Sequence, residues 1–197
     1  MSVQTKTFSG REILPYLDQL AQLRIEVFRE WPYLYAGSLA YERDYLATFT
    51  RAEDSVMVIA FDGEEIVGAS TGLPMRHETP ALQRPFREND YDIDRVFYFS
   101  ESVLKKGYRG RGLGKTFFRE REAFVRKLGK YDWITFCSVV RPESHPRRPE
   151  DYRDLGGFWR KLGYEPTDMI GNISWQDLDE EEESEKPMRF WVKALKS

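Results

Sequence analysis

Hydrophobic residues recur at helical spacing in two stretches near the N-terminus of this 197-residue chain. Residues 9–12 carry the S-x-x-E pattern of a capping box, which predicts a helix that runs to about residue 30. Its mostly apolar stripe contains Ile13, Leu17, Leu20, Ala21, Arg24 and Phe28. Three aromatic residues interrupt the pattern at 31–35, and a second helix is predicted at about 38–49, with Leu39, Leu46 and Phe49 as core residues.

Runs rich in β-branched and aromatic residues predict strands in the remainder of the chain. Asp62-Gly63 is a strong turn signal, so residues 55–61 and 65–73 are predicted to form a hairpin. Further strands are predicted at 2–8, 97–103, 133–139, 167–175 and 188–195. The acidic run 177–185 is predicted to be a solvated hairpin loop.

Three more helices are predicted between these strands. A short one begins at Thr79-Pro80, a longer one follows the 97–103 strand and ends at Gly129, and a third spans 154–162. The order is β-αα-β-β-α-β-α-β-α-β-β, without a repeat or a domain boundary. Residues 1–197 are therefore predicted to form one domain.

Composition narrows the class of protein. A net charge of -3 and a pI near 5.6 argue against a general nucleic-acid binder. One cysteine, Cys137, and two histidines argue against a disulfide framework and a structural zinc site, so no metal is expected. Neither a signal peptide nor an apolar run of membrane-spanning length is visible. We therefore expect a soluble, cytoplasmic protein with no nucleic-acid or membrane partner.

A glycine-dense turn at 107–115 lies between the predicted strand 97–103 and the following helix. Glycines allow backbone N–H groups to approach a ligand closely, and a helix N-terminus favours anions, so a phosphate or pyrophosphate is the expected guest. A Walker A loop would need glycine at Arg109, and the G-x-G-x-x-G fingerprint would need glycine at Lys115. Neither pattern fits.

The pattern Arg109-x-x-Gly112-x-Gly114 does fit the acyl-CoA pyrophosphate loop of the GNAT superfamily of N-acyltransferases. A second piece, residues 158–164 (FWRKLGY), resembles the later family motif of an aromatic residue, Tyr, three residues and Gly-Phe. The resemblance covers nearly the whole chain. It implies an α/β (α+β) fold, in which helices flank a central mixed, mostly antiparallel sheet.

This resemblance implies an N-acetyltransferase that moves an acetyl group from acetyl-CoA to a primary amine by direct attack. The expected cofactor-binding residues are the strand edge, which would pair with the pantetheine arm, and the turn, which would hold the pyrophosphate. They are Val103, Leu104, Lys106, Arg109, Gly110, Arg111, Gly112, Leu113, Gly114 and Lys115.

Three residues are the candidates for catalysis. Glu101, at the end of the strand before the turn, is the first choice of general base, with a solvent-facing or arginine-paired role as the alternative. His145, in the proline-rich segment 140–153, is the second choice. Trp159 replaces the tyrosine that many family members use to protonate the thiolate, and Tyr152 is the preferred substitute, ahead of Tyr164, Tyr108 and solvent. Cys137 is rejected as a nucleophile.

In this family the connection between the first two helices lines the acceptor pocket, which points to Trp31, Tyr33 and Tyr35. They would suit an apolar, aromatic or cationic group, or they cap the core instead. A small-molecule amine is favoured, with a peptide or protein amine open. The alternatives are a CoA-binding module of the same fold without catalysis and a protein for another phosphate ligand. A homodimer is an open possibility.

Overall fold

The computed structural model describes residues 3–195, which form eight β-strands and five α-helices. The strands are β1 (Gln4–Phe8), β2 (Val56–Asp62), β3 (Glu65–Pro74), β4 (Val96–Tyr98), β5 (Ser102–Leu104), β6 (Trp133–Val139), β7 (Glu165–Trp175) and β8 (Ser184–Ala194). The helices are α1 (Leu17–Phe28), α2 (Leu39–Arg51), α3 (Pro80–Glu88), α4 (Leu113–Leu128) and α5 (Gly156–Lys161). The predicted strand at 2–8 includes Ser2, which lies outside the described residues.

All eight strands form one sheet, in the order β1-β2-β3-β4-β6-β8-β7, with β5 paired to β3 beside this path. Only the β4–β6 pair is parallel among the described strands. The predicted mixed, mostly antiparallel sheet flanked by helices is confirmed.

The central strand is broken, whereas the sequence predicts one continuous strand at 97–103. Phe99 N–H donates to the Thr135 carbonyl on β6 at 2.7 Å, and Ser100 N–H then donates to the Thr71 carbonyl on β3 at 3.2 Å. From this point β5 follows β3 and pairs with no other strand among residues 3–195. The edges of β5 and β6 therefore separate, and an opening is left between them.

The helices cover the two faces of the sheet. The face covered by α1, α2 and α3, which we call the front, packs through apolar residues such as Leu20, Phe49 and Phe86. The back face is covered by α4 and α5, with Phe118 and Val125 among its buried residues. The opening between β5 and β6 connects these two faces.

Local signals set several boundaries. The capping box at Ser9 is present but opens a 3₁₀ helix, Gly10–Tyr16, before α1 begins. Thr79 is the N-cap of α3, with Pro80 in its first turn, and Gly129 ends α4 with a φ of 64°. Helix α5 is shorter than predicted, because the Asp154 carboxylate accepts from Gly156 N–H at 2.7 Å. No helix within residues 3–195 is long and apolar enough to cross a bilayer.

The acidic run is not a uniformly solvated loop, which corrects the prediction for 177–185. Asp177 is 3% exposed and pairs with Arg141, and strand β8 already begins at Ser184. Lys186 on β8 pairs with Glu180, which anchors the rest of the loop. Opposite charges from other segments therefore draw part of the run into the protein.

Candidate active site

The glycine-rich turn presents backbone rather than side chains. A 3₁₀ turn, Lys106–Tyr108, follows β5, and Gly112 is the N-cap of α4. Gly110 and Gly112 have φ values of 75° and 85°, a left-handed backbone that favours glycine. Apart from the chain neighbours, no heavy atom lies within 4 Å of the place where a Cβ would stand at either residue. The turn is therefore open beside the N-terminus of α4, where an anion site needs free amides.

The basic side chains of the turn differ in what they contact. Arg109 Nη1 lies 2.7 Å from Glu30 Oε2 at the end of α1, and Arg109 Nε donates to the Leu104 carbonyl at 3.1 Å. Arg111 and Lys115 are exposed, with the Arg111 guanidinium 5.1 Å from the Tyr108 ring. Two of the three cations thus face solvent beside the helix N-terminus, while Arg109 braces the turn.

Two further residues of the predicted cofactor set have different surroundings. Leu113 is buried, so its side chain anchors the start of α4 and only its backbone faces the turn. Lys106 is exposed at the start of the 3₁₀ turn.

The register of β5 decides which of its main-chain groups face β3. Lys105 N–H donates to the Val67 carbonyl, and Glu101 accepts from Thr71 N–H, so alternate residues of β5 bond to β3. Val103, opposite Ala69, belongs to this set and directs its main-chain groups at β3. The main chain of Ser102 and Leu104 points instead to the open edge. Ser102, absent from the predicted set, therefore has main-chain groups free at this edge, whereas Val103 does not.

A buried cluster of charges lies on the front side of the break. Arg24 on α1 forms ion pairs with Glu42 of α2 and with Glu101, whose Oε1 lies 2.6 Å from Arg24 Nη1. Tyr45 Oη donates to Glu101 Oε2 at 2.8 Å. The Glu42 side chain is fully buried, and the Glu101 side chain is 7% exposed. Both oxygens of Glu101 are therefore engaged.

The protonation states of this cluster follow from its charges. Burial alone lowers the pKa of Arg24, but the charges of Glu101 and Glu42 outweigh it and raise that pKa above its ordinary value. Burial first, and then the charge of Glu101, raise the pKa of Tyr45 well above its ordinary value. Arg24 is therefore a permanent cation, and Tyr45 is a neutral hydrogen-bond donor to Glu101.

Glu78 is a second carboxyl on the same side, and the sequence does not predict it as a site residue. It follows β3 and the 3₁₀ turn Met75–His77, directly before α3. Burial raises its pKa to about 7; the charge of Glu101 adds to this, while Thr79 N–H and the Ser100 side chain partly offset it. Glu78 therefore changes protonation near neutral pH.

Arg121 holds the break from the back face. It is 1% exposed, and its Nη1 donates to the carbonyls of Thr71 and Glu101 at 2.9 and 3.1 Å. Its Nη2 donates to Ser102 Oγ at 2.8 Å. Burial lowers its pKa to about 10, so it remains a cation at neutral pH. These bonds stabilise the irregular backbone at 100–102, where ladder bonds to β6 are lost.

Trp31, one of the predicted acceptor-binding aromatic residues, contacts the segment that contains the predicted catalytic residues His145 and Tyr152. The Trp31 ring lies 4.9 Å from His145 and 5.9 Å from Tyr152, between ring centroids. The indole N–H of Trp31 is buried and has no hydrogen-bond partner among residues 3–195. Segments 31–35 and 140–153 therefore meet on the front side of the sheet. We call the space between these two segments and Glu101 the front cleft, and the two segments form one wall of it.

Tyr33 and Tyr35 have structural contacts as well. Tyr33 packs 5.9 Å from Trp175, and Tyr35 packs 6.5 Å from Tyr41. Burial raises the pKa of Tyr33 first, and the neighbouring Cys137 and Glu101 add to this. The Tyr33 hydroxyl thus belongs to the cleft, while its ring is part of the core.

Arg141 joins this wall to the last hairpin. Its guanidinium binds both carboxylate oxygens of Asp177 at 2.6 and 2.8 Å. It also donates to the carbonyls of Pro32 and Tyr33, both at 2.9 Å. One buried, bidentate pair therefore fixes three segments that are distant in sequence.

The candidate proton donors differ in where their side chains lie. Tyr108 donates to Asp62 at 2.9 Å, and Tyr164 donates to Glu122 at 3.0 Å, so both hydroxyls are used away from the front cleft. Trp159 packs in the back core, 4.9 Å from Trp191. Burial raises the pKa of Tyr152, which lies on the cleft wall. Tyr152 is therefore the best placed of the tyrosines that the sequence proposes as donors.

Cys137 on β6 faces the front side and forms a 2.9 Å contact with the Tyr98 hydroxyl. Burial raises the pKa of its thiol to about 12, so the thiol stays protonated at neutral pH. This protonation agrees with the rejection of Cys137 as a nucleophile.

Three charged residues that shape the site were missed, although the sequence carries a signal for each. Arg24, Glu42 and Arg121 all occupy apolar-stripe positions of their helices. A charge at such a position predicts a buried ion pair or a buried donor network. Glu78 has no such signal, because it lies in an irregular segment.

Comparisons with known proteins agree with this geometry. The profile described as the acetyltransferase (GNAT) family matches residues 18–156. A search of curated proteins found no match to the sequence.

Solved structures share the fold at low identity. NAA60 of Arabidopsis thaliana in complex with acetyl-CoA is 12% identical, with a TM-score of 0.62 over 98% of this chain and 99% of that chain. PaiA N-acetyltransferase of Thermoplasma acidophilum in complex with coenzyme A is 17% identical, with a TM-score of 0.57 over 98% and 99%. An aminoglycoside 6'-N-acetyltransferase complexed with coenzyme A is 18% identical, with a TM-score of 0.58 over 100% and 98%.

Proposed function

Because the chain belongs to the GNAT family of acetyltransferases, we propose that it is an N-acetyltransferase that transfers the acetyl group of acetyl-CoA to a primary amine. Acetyl-CoA is its co-substrate, as in the structural neighbours that contain CoA or acetyl-CoA. The observation that carries the proposal is the opening between β5 and β6. It joins a backbone anion cradle at the glycine turn to a cleft with carboxyl groups on the front side.

The half of the site that would bind acetyl-CoA does so mainly through backbone groups. The first amides of α4 and the turn at Gly110–Gly112 would hold the pyrophosphate, with Arg111 and Lys115 adding positive charge. The outward main-chain groups of Ser102 and Leu104 would bond the pantetheine arm as a neighbouring strand does. This arrangement directs the thioester through the opening toward the front cleft.

The acceptor half supplies side-chain chemistry. An alkylamine with an ordinary pKa near 10.4 is protonated at pH 7, and removal of its proton costs roughly 4 kcal/mol. A carboxyl or imidazole in the cleft can accept that proton, and Glu101 and His145 are the candidates that the sequence gives for this role. Tyr152 would donate a proton to the departing sulfur. Acetyl-CoA supplies the electrophilic carbonyl, and direct attack by the amine in a ternary complex completes the transfer.

The cleft favours a small amine. The clamp between Arg141 and Asp177 holds the α1–α2 connection against the β6–α5 connection, so the wall is braced from both sides. Trp31 offers a ring face and a free donor to the acceptor. An aromatic wall beside carboxylates suits a compact cationic group. A peptide or protein amine remains the alternative acceptor.

The test is incubation with acetyl-CoA and a panel of primary amines, with CoA thiol release and product mass as readouts. We expect thiol release that depends on the amine, together with an acetylated product of matching mass. Tight acetyl-CoA binding without turnover over the panel would favour a CoA-binding module. Stabilisation by ATP or NAD but not by acetyl-CoA would contradict the proposed function.

A further inference from the structure

The two carboxyls on the front side differ in whether a cation pairs with them. Glu101 pairs with Arg24 through one oxygen and accepts from Tyr45 through the other. Arg24 and the Tyr45 hydroxyl thus occupy both carboxylate oxygens, so neither is free to bind a substrate ammonium group. Glu101 therefore suits a fixed negative charge better than a base that must take up a proton.

Glu78 has the opposite surroundings. It forms no ion pair within residues 3–195, and its carboxylate accepts from the adjacent Thr79 N–H at a long 3.3 Å. Its backbone is nevertheless fixed, because its carbonyl accepts from Gln83 Nε2 at 2.7 Å and its N–H donates to the Met75 carbonyl at 3.0 Å. A rigid backbone thus carries a carboxyl on which only uncharged donors act, namely Thr79 N–H and the Ser100 side chain at the break.

The groups around Glu78 place it in the cleft. Its charge acts on Tyr45 and Tyr41 of α2, on Tyr98 of β4 and on Cys137 of β6, and Glu101 acts on it from the β4–β5 segment. The facing groups are thus Glu101, Tyr41, Tyr45, Tyr98 and Cys137. These elements surround the front mouth of the β5–β6 opening. No cation is among the groups that act on Glu78 there.

We propose that Glu78 is the general base of the acyl transfer, an inference that rests on the proposed N-acetyltransferase function. The Glu78 carboxylate takes one proton from the alkylammonium and leaves a neutral amine. The amine nitrogen bonds to the thioester carbon, and the carbon–sulfur bond breaks with its electron pair on sulfur. The second nitrogen proton passes to sulfur through Tyr152 or water. Glu78 then releases its proton to solvent, which restores the carboxylate.

Glu101 and Arg24 are positioning residues in this step. Glu101 places a fixed negative charge beside Glu78, which favours proton uptake there. Arg24 holds the Glu101 carboxylate in place through their ion pair. A base that titrates near pH 7 combines a populated carboxylate with useful proton affinity at neutral pH. The pair thus divides its roles by environment: Glu101 is paired with a cation, whereas Glu78 has no cation partner within residues 3–195 and titrates near pH 7.

The experiment compares Glu78→Gln, Glu78→Asp and the control Glu88→Gln on α3, whose side chain is 66% exposed. For each variant kcat/KM is measured from about pH 5.5 to about pH 9 with the most active amine of the panel. We expect wild type to rise through about pH 7. Glu78→Gln should lose that rise and about 10²-fold or more of its rate, while Glu88→Gln should match wild type. Glu78→Asp should keep the rise at reduced rate.

A second acceptor separates a base from a structural residue. A fluorinated alkylamine that is already neutral at pH 7 needs no initial proton removal, so Glu78→Gln should lose much less rate with it. Acetyl-CoA affinity, measured by calorimetry, should stay unchanged in Glu78→Gln. A wild-type pH profile in Glu78→Gln, or an equal loss of rate with both amines, would overturn the proposed role of Glu78 but not the proposed acetyltransferase function. A wild-type protein that turns over no amine overturns the proposed function as well.

Discussion

The two ends of the β5–β6 opening are built in opposite ways. At the glycine turn, exposed backbone faces open space, and the nearest ion pair, between Arg109 and Glu30, is about half exposed. At the front mouth, charged side chains of Arg24, Glu42 and Glu101 are nearly or fully buried and bond to one another. The glycine turn therefore depends on its backbone conformation, whereas the front mouth depends on the pairing of its charged side chains.

Because of this difference, the two ends should affect different properties: the glycine turn should affect acetyl-CoA binding, and the front mouth should affect the stability of the fold. A phosphate cradle of amides tolerates most side-chain changes beside it, provided that the glycine conformations are kept. A buried charge network tolerates few changes, because each missing partner leaves an uncompensated charge. Substitutions at the turn should therefore change acetyl-CoA affinity, and substitutions at the front mouth should change folding or turnover.

The largest effect is expected from Arg24→Met. It leaves the carboxylates of Glu42 and Glu101 without their cation, so the free energy of unfolding should fall by about 3–5 kcal/mol. Urea unfolding measures this fall. The control is Arg43→Met, which breaks an exposed pair with Asp18 and should change stability by less than about 1 kcal/mol. Equal effects of the two variants would remove the distinction between the two ends.

Gly112→Asp tests the cradle. A side chain at a φ of 85° is strained, and a carboxylate at the helix N-terminus repels a pyrophosphate. Gly112→Ala carries the strain without the charge, so the difference between the two variants isolates electrostatics. We expect acetyl-CoA to bind Gly112→Asp at least about tenfold more weakly than Gly112→Ala, by calorimetry. Equal affinities would mean that the turn does not hold the phosphates.

Glu78→Gln should stabilise the folded protein at alkaline pH. The ordinary carboxyl pKa of 4.5 is raised to about 7 in the folded state, so the folded state binds more protons between these pH values. The stability that this proton provides is complete below about pH 4.5 and is lost as pH rises through about 7. The variant should exceed wild type by about 1–2 kcal/mol at pH 8 and by little at pH 5. A difference independent of pH would contradict the raised pKa.

The smallest effect is expected from Glu30→Gln. The Glu30–Arg109 pair is exposed, so its loss should change the free energy of unfolding by less than about 1 kcal/mol. It also frees the Arg109 guanidinium for the cofactor, and acetyl-CoA should bind about twofold more tightly. Calorimetry at low salt measures this change. Weaker binding would show that the pair is needed to shape the turn.

The parts of the molecule that sequence predicts well are those whose signals are local. The Asp62-Gly63 turn, the Thr79 cap and the Gly129 helix end are each a short pattern with one backbone solution. The glycine turn at 107–115 is equally local. The break between β4 and β5 is not, because Arg121, some twenty residues later, supplies the bonds that replace the ladder.

The front mouth was predicted only in part for the same reason. Glu101 was found because it precedes the turn, and Trp31 and His145 were found through the family resemblance. Their mutual contact, and the pairing of Glu101 with Arg24, join segments more than seventy residues apart. The raised pKa of Glu78 depends on burial by several elements, and no spacing along the chain encodes it.

Amide hydrogen exchange, measured by NMR with and without acetyl-CoA, tests most directly whether the opening is the cofactor site. Ser102 and Leu104 direct their N–H groups at the open edge, whereas Val103 already bonds to β3. Saturating acetyl-CoA should slow exchange at Ser102, Leu104 and the first amides of α4, and change Val103 much less. Unchanged exchange at Ser102 and Leu104, with acetyl-CoA bound, would contradict a cofactor site between β5 and β6.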